Sequence, residues 1–255
     1  MDIANMTIML LIGVLGGFIS GLIGIGGAII IYPAILILPP LIGIPAYSAY
    51  IASGLTSSQV FFSTLSGSLN ARKQPAFSPK LVIYMGGGML IGSMLGAILA
   101  SLFNATFVNT VYVIIAILAL ILMFIKVKPT TQETKSKPLL FIIVGFGIGV
   151  ISGIVGAGGA FIIIPVLLAL FKLPMNTVVN NSIAIAFISS VGAFFIKLMQ
   201  GYIPVESAIF LIIEWWSFSE NIMWSYNIMP IISLISFILW VILISPGEGV
   251  MSYQE

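Results

Sequence analysis

The sequence predicts an all-α, polytopic membrane protein of about eight transmembrane helices (range seven to nine), in two homologous four-helix repeats with glycine-broken first helices. Three observations predict this. The 255 residues are 60% hydrophobic and only 6% charged, with a mean hydropathy of +1.24. Soluble domains carry about 25% charged residues, so lipid must solvate most of this surface. Long apolar stretches recur along the chain, and the two halves repeat one glycine and proline pattern. A soluble enzyme, a nucleic-acid binder and a disordered chain are excluded at this stage.

The composition narrows the chemistry further. There is no Cys and no His, so thiolate metal sites, haem ligation, HExxH zinc chemistry and Ser-His catalysis are ruled out. Asp2 is the only Asp, which leaves no intramembrane aspartate pair. No ATP-binding motif is present. The expectation is a protein that is not an enzyme and needs no metal or cofactor. Residues 1–6 carry Asp2 and no basic residue, so no cleavable signal peptide is expected.

Apolar segments occupy 7–38, 46–69, 80–103, 107–126, 138–171, 177–198, 204–214 and 226–245. As one helix, 7–38 would extend about 48 Å, well past a hydrocarbon core of about 30 Å. Segment 138–171 poses the same problem. Each has a glycine cluster near its middle, and there the helix should break. Arg72, Lys73 and Lys80 mark one loop, and Lys126, Lys128, Lys135 and Lys137 another. Two spans separate them, so loops 70–80 and 127–137 share a face, the cytoplasmic one by the positive-inside rule. The polar stretch 127–137 divides a first repeat (1–126) from a second (138–255).

Aligning Gly13–Leu36 with Gly145–Leu168 matches 13 of 24 positions, including Gly13/Gly145, Gly17/Gly149, Gly21/Gly153, Gly24/Gly156, Gly26/Gly158, Gly27/Gly159, Ala28/Ala160 and Pro33/Pro165. After a three-residue shift the register continues through Pro45/Pro174, Ser53/Ser182 and Pro75/Pro204. If each broken segment crosses once, each half has four spans and the repeats are parallel. If the broken segments are hairpins, the number per half is odd and the repeats inverted. The preferred expectation is eight crossings with both termini cytoplasmic.

The four-spaced glycines suit close helix packing. The clusters at Gly24, Gly26, Gly27 and at Gly156, Gly158, Gly159 can unwind a helix in the membrane. The half-helices restarting at Ala28 and Ala160 would then offer free N–H groups and a positive dipole end to an anion. Two such breaks in corresponding positions point to a central substrate site. Pro33 and Pro165 close the two motifs. Downstream, Ser53, Thr56, Ser57, Ser58 and Gln59 are matched by Asn180, Asn181 and Ser182. These side chains either bond within and between helices or line a polar path, and Ser53 and Ser182 form the leading pair.

The paired G-x-x-G-x-G-G-A-x-x-x-x-P motifs, the four-plus-four pattern and the basic central loop resemble the sulfite exporter TauE/SafE family over residues 5–213. That resemblance implies a polytopic transporter of bacteria or archaea that moves sulfite, an organosulfonate or a related small anion. A secondary transporter in the cytoplasmic membrane is expected, with proton coupling as an option. A passive anion channel or a membrane assembly subunit is the alternative. The partners expected are a small anionic substrate and the lipid bilayer, with no nucleic acid.

One stretch departs from the pattern. The counterparts of Gly86, Gly87, Gly88, Gly92 and Gly96 should fall near 215–225, where the chain reads Glu214-Trp215-Trp216-Ser217-Phe218-Ser219-Glu220-Asn221. Residues 214–255 are therefore atypical, by divergence or by a reading-frame shift near 213. Glu206, Glu214 and Glu220 are the only carboxylates near the membrane; Glu206 is expected near a membrane boundary and the other two fall in the atypical stretch, so a proton-carrying role is not the favoured reading for them. Trp215, Trp216, Trp224 and Tyr226 suit an interfacial belt. Lys197, near the end of its span, is expected to snorkel to the interface.

Overall fold

The computed structural model describes residues 5–13, 28–124, 138–204 and 207–208. Among these there is no strand, and the helices run in the order α1 (5–13), α2 (Ala28–Leu41), α3 (Ala49–Ala71), α4 (Pro79–Ala100), α5 (Ala105–Phe124), α6 (Pro138–Val155), α7 (Ala160–Ala169) and α8 (Met175–Met199). Local chemistry sets several starts. The Ser48 side chain accepts from the Ile51 N–H ahead of α3, and Asn104 Oδ1 accepts from Phe107 N–H ahead of α5. Pro79 and Pro138 open α4 and α6, where a missing N–H costs no helical bond.

Four described stretches, Pro79–Ala100, Ala105–Leu122, Pro138–Val155 and Met175–Met199, are long and apolar enough to cross a membrane. Helix α5 turns Val113, Ile114, Ile117, Leu120 and Ile121 outward, as a lipid-facing helix should. Helix α3 is 23 residues long but interrupts its apolar run with Ser, Thr and Gln, all of which point into the protein: Ser53, Thr56, Ser57, Ser58 and Gln59 are buried.

Glycines set the tightest contact. Helices α4 and α6 lie side by side, with Gly88, Gly92 and Gly96 against the backbone of Ile142, Phe146 and Val150, and with Gly145, Gly149 and Gly153 against that of Met85, Met89 and Ser93. Numbers rise together along both helices, so they are parallel and start at the same end of the pair. A methyl group at any of these six positions would strike a main chain. Small residues allow such close approach in lipid, where packing and not water exclusion drives association.

Helices α3 and α8 pack antiparallel. Ser53 meets Lys197, Phe61 stacks on Phe194 at 4.7 Å, and Thr64 lies 3.4 Å from Ser190. This corrects the preferred topology, because corresponding spans of parallel repeats would run the same way. The reason is that segment 138–171 doubles back. Phe171, after the end of α7, packs on Phe141 at the start of α6 with ring centroids 4.5 Å apart. The first segment closes likewise: Tyr47, beyond α2, donates to Asn5 Oδ1 in α1 at 2.9 Å. Both ends of that segment therefore meet, on the face where Tyr50 O–H donates to the Phe103 carbonyl, opposite the loop that carries Arg72 and Lys73. Residue 5 and loop 70–80 thus lie at opposite ends of the bundle, against the expectation that the start of the chain shares a face with that loop.

Candidate functional site

The α6–α7 hairpin turns through Gly156-Ala157-Gly158-Gly159. Gly156, Gly158 and Gly159 have φ of 80°, 61° and 72°, a backbone region that costs a side-chain-bearing residue about 1–2 kcal/mol. Space is as restrictive as conformation. A Cβ on Gly156 would meet the Ser53 carbonyl, one on Gly158 would meet Val60, and one on Gly159 would meet Met89. Val60 and the Ser190 and Ala186 that also flank Gly158 lie at the middle of α3 and α8. The glycine tip is therefore wedged into the centre of the bundle, between α3, α4 and α8.

Helix α6 ends as Gly156 and Ala157 N–H both bond to the Ser152 carbonyl, at 2.8 and 3.1 Å. Helix α7 begins at Ala160 behind Gly159, which supplies no side-chain cap. Its first turn leaves N–H donors and a positive dipole end directed at the tip. Beside it, the Ser152 hydroxyl is fully buried and has no hydrogen-bond partner, and it lies 3.3 Å from where a Gly159 side chain would begin. Gln59 and Ser189 are further buried polar side chains whose Nε2, Oε1 and Oγ atoms lack partners.

Lys197 is the residue that sequence reasoning misplaced. It does not snorkel; it is 0% exposed. Its Nζ donates to Ser53 Oγ at 2.7 Å and to the Ile154 carbonyl at 3.2 Å, while Ser53 donates onward to the Tyr50 carbonyl at 2.8 Å. Antiparallel packing of α3 and α8 brings the end of α8 against the start of α3. The other described cations, Arg72, Lys73, Lys80 and Lys172, are all exposed.

The remaining expected residues fall into groups. Gly156, Gly158, Gly159, Ala160 and Ser53 gather at the tip. Pro165 is buried inside α7, and Pro33 lies inside α2, whose first residue, Ala28, is fully buried. Ser57 donates to the carbonyls of Ser53 and Gly54 in its own helix, and Thr56 and Ser58 also bond the preceding turn. Asn181 bonds Ala76, Thr177 and Ser78, fastening the α3–α4 loop. Ser182 donates to Val179, near that same end. Ser53 and Ser182 therefore lie at opposite ends of the α3–α8 pair and are not brought together. Gly24, Gly26, Gly27, Glu206, Glu214, Glu220, the aromatic belt and the linker 127–137 lie outside the described residues.

A family model for Sulfite exporter TauE/SafE matches residues 9–215. The chain belongs to the sulfite exporter TauE/SafE family. The match ends in the stretch, Glu214–Asn221, where a glycine face is expected and the sequence has none. This TauE/SafE chain is similar to the probable membrane transporter protein YunE of Bacillus subtilis (strain 168), 26% identical over 234 residues that cover 83% of this chain and 85% of the relative. It is also similar to the probable membrane transporter protein MJ0441 of Methanocaldococcus jannaschii, 26% identical over 205 residues, covering 78% and 75%. A probable membrane transporter protein of Haemophilus influenzae is 28% identical over 173 residues, covering 63% and 61%. No solved structure matches. The TauE/SafE membership and the apolar helices make this a polytopic membrane protein of a transporter family.

Proposed function

We propose that this chain is a secondary transporter, not an enzyme, that carries sulfite, an organosulfonate or a related small sulfur-containing anion across the cytoplasmic membrane, with a proton gradient as the driving force. Loops 70–80 and 127–137 face the cytoplasm in this reading, and the regions on either side of 127–137 are two repeats in inverted relation. The observation that carries it is the glycine tip of the α6–α7 hairpin, which holds a helix start and a partnerless buried hydroxyl at mid-bundle. A small oxyanion suits that arrangement, since backbone N–H groups and a hydroxyl donate to oxygen without a bulky pocket. By the sequence match, Gly24, Gly26, Gly27 and Ala28 are the counterparts of Gly156, Gly158, Gly159 and Ala160.

The test is uptake of radiolabelled sulfite into proteoliposomes under an imposed pH gradient. Accumulation above equilibrium is expected, with loss of flux in Gly26→Leu and Gly159→Leu although both variants remain folded in the membrane. Equilibration without accumulation would indicate a passive channel. Wild-type uptake in either variant would refute the central site.

A further inference from the structure

We propose that Lys197 is the fixed positive charge against which the transported anion is held, its ammonium giving an N–H to an oxygen of a small oxyanion at the glycine tip. This rests on the transporter reading above and deepens it.

The geometry isolates the ammonium. Two of its three N–H groups are taken among the described residues, by Ser53 Oγ at 2.7 Å and the Ile154 carbonyl at 3.2 Å. Neither partner carries a formal charge. Ile154 lies in the last turn of α6, where orphan carbonyls present about half a negative charge, so part of the ammonium's charge is offset and part is not. The described residues contain no Asp or Glu at all. Among the described residues this buried cation thus has no counter-ion, a setting that is costly in a membrane interior and persists where function requires it.

Its neighbours favour an anion over a structural partner. Ile154, whose carbonyl takes the ammonium, and Ser152, whose hydroxyl is partnerless, stand two residues apart in the last turns of α6 before Gly156. The α7 start lies on the other side of the glycine turn. Lysine, hydroxyl and helix N-terminus all offer donors, and the anionic ligand they fit is a compact one with several oxygens, such as a sulfite, sulfate or small sulfonate. A cationic or neutral apolar substrate would leave the charge unanswered. Lys197 also explains why Ser53 and Ser182 differ in setting despite their matched positions: the residue that aligns with Lys197 in the first repeat is Ser68, so the charge is present on one side only.

The experiment uses the full chain purified in detergent and reconstituted in liposomes, with sodium sulfite, sulfate, thiosulfate and isethionate as probes. The variants are Lys197→Met, Lys197→Arg and Ser53→Ala. At least one probe is expected to raise the melting temperature of the wild type. Lys197→Met should lose that protection and reduce kcat/KM for flux on the order of 100-fold, the scale for removing one member of a buried charge pair. Lys197→Met keeps the length of the side chain and removes the cost of burying an ammonium, so the melting temperature without anion should hold. Lys197→Arg should restore protection by the same probe. Ser53→Ala keeps the charge and removes one of its ligands, and should raise KM about tenfold with kcat kept, which provides a reading should Lys197→Met fail to fold.

The outcomes separate the two ideas. Anion protection that disappears in Lys197→Met, without any flux in the wild type, supports the lysine and refutes transport. Flux retained by Lys197→Met at the wild-type KM refutes the lysine and leaves transport standing. Absence of protection by all four probes in the wild type also overturns the assignment.

Discussion

Substituting alanine at Gly147 and at Gly149 makes the same chemical change two residues apart on α6, in opposite environments. A methyl group on Gly147 meets nothing within 4 Å; one on Gly149 runs into the backbone of Met89 on α4. Both gain helix propensity, worth about 1 kcal/mol for Gly→Ala in a helix interior. Only Gly149→Ala incurs overpacking, about 1–3 kcal/mol, and the cost should sit at the upper end because a main-chain carbonyl cannot rotate aside. The two variants should therefore differ by about 1–3 kcal/mol, with Gly147→Ala the more stable and near or above wild type. For a chain of this size that corresponds to roughly 2–4 °C in Tm per kcal/mol. Thermal unfolding of the purified proteins in one detergent measures it, and Gly87→Ala against Gly92→Ala repeats the test on α4, where Gly87 is open and Gly92 abuts α6. Equal melting temperatures for the two members of both pairs would refute the backbone-contact account of the α4–α6 seam.

Other predictions follow from the same contacts. Asn181→Ala should destabilise the chain by about 1–3 kcal/mol, because it strands the Ser78 N–H and Ala76 carbonyl; the anion KM should be unchanged, and a raised KM would place Asn181 in the substrate path after all. Ser57→Ala should be close to silent in both thermal unfolding and uptake, since its hydroxyl bonds only carbonyls of its own helix; a tenfold fall in uptake would contradict this. The α4–α6 seam needs glycine on both helices, so the stripe Gly13, Gly17, Gly21 calls for a glycine-bearing partner where Glu214–Asn221 now stands. Translating the coding DNA in the other two frames from codon 213 should uncover that glycine pattern, and its absence from both would leave divergence as the explanation.

The helices and breaks were legible because their signals are local. Apolar length marked the spans, and three nearby glycines marked where α6 must end. The direction of the chain after that break was not legible, since a straight crossing and a hairpin use the same residues; Phe141 against Phe171 decides it only once the fold brings them together. Lys197 was missed for a related reason. A lysine two residues before the end of α8 has the sequence signature of a snorkelling side chain, and only antiparallel packing against α3 turns it inward. The pairing of Ser53 with Ser182 was drawn from the repeat, and the same antiparallel packing sets the two apart. The four-spaced Gly145, Gly149 and Gly153, by contrast, pack as their spacing suggests, because that requirement is a property of one helix face.

The six-glycine seam has a kinetic meaning as well. Helices held backbone to backbone have no rotamers at the joint to rearrange, and a slip of one turn would have to clear carbonyls along its whole length. Helices α3 and α8, held by Phe61, Phe62, Phe187 and Phe194, meet through side chains that can repack. In the transport cycle proposed above, rocking that opens the glycine tip would pivot on the aromatic joint, with α4 and α6 carried along as a single stiff strut.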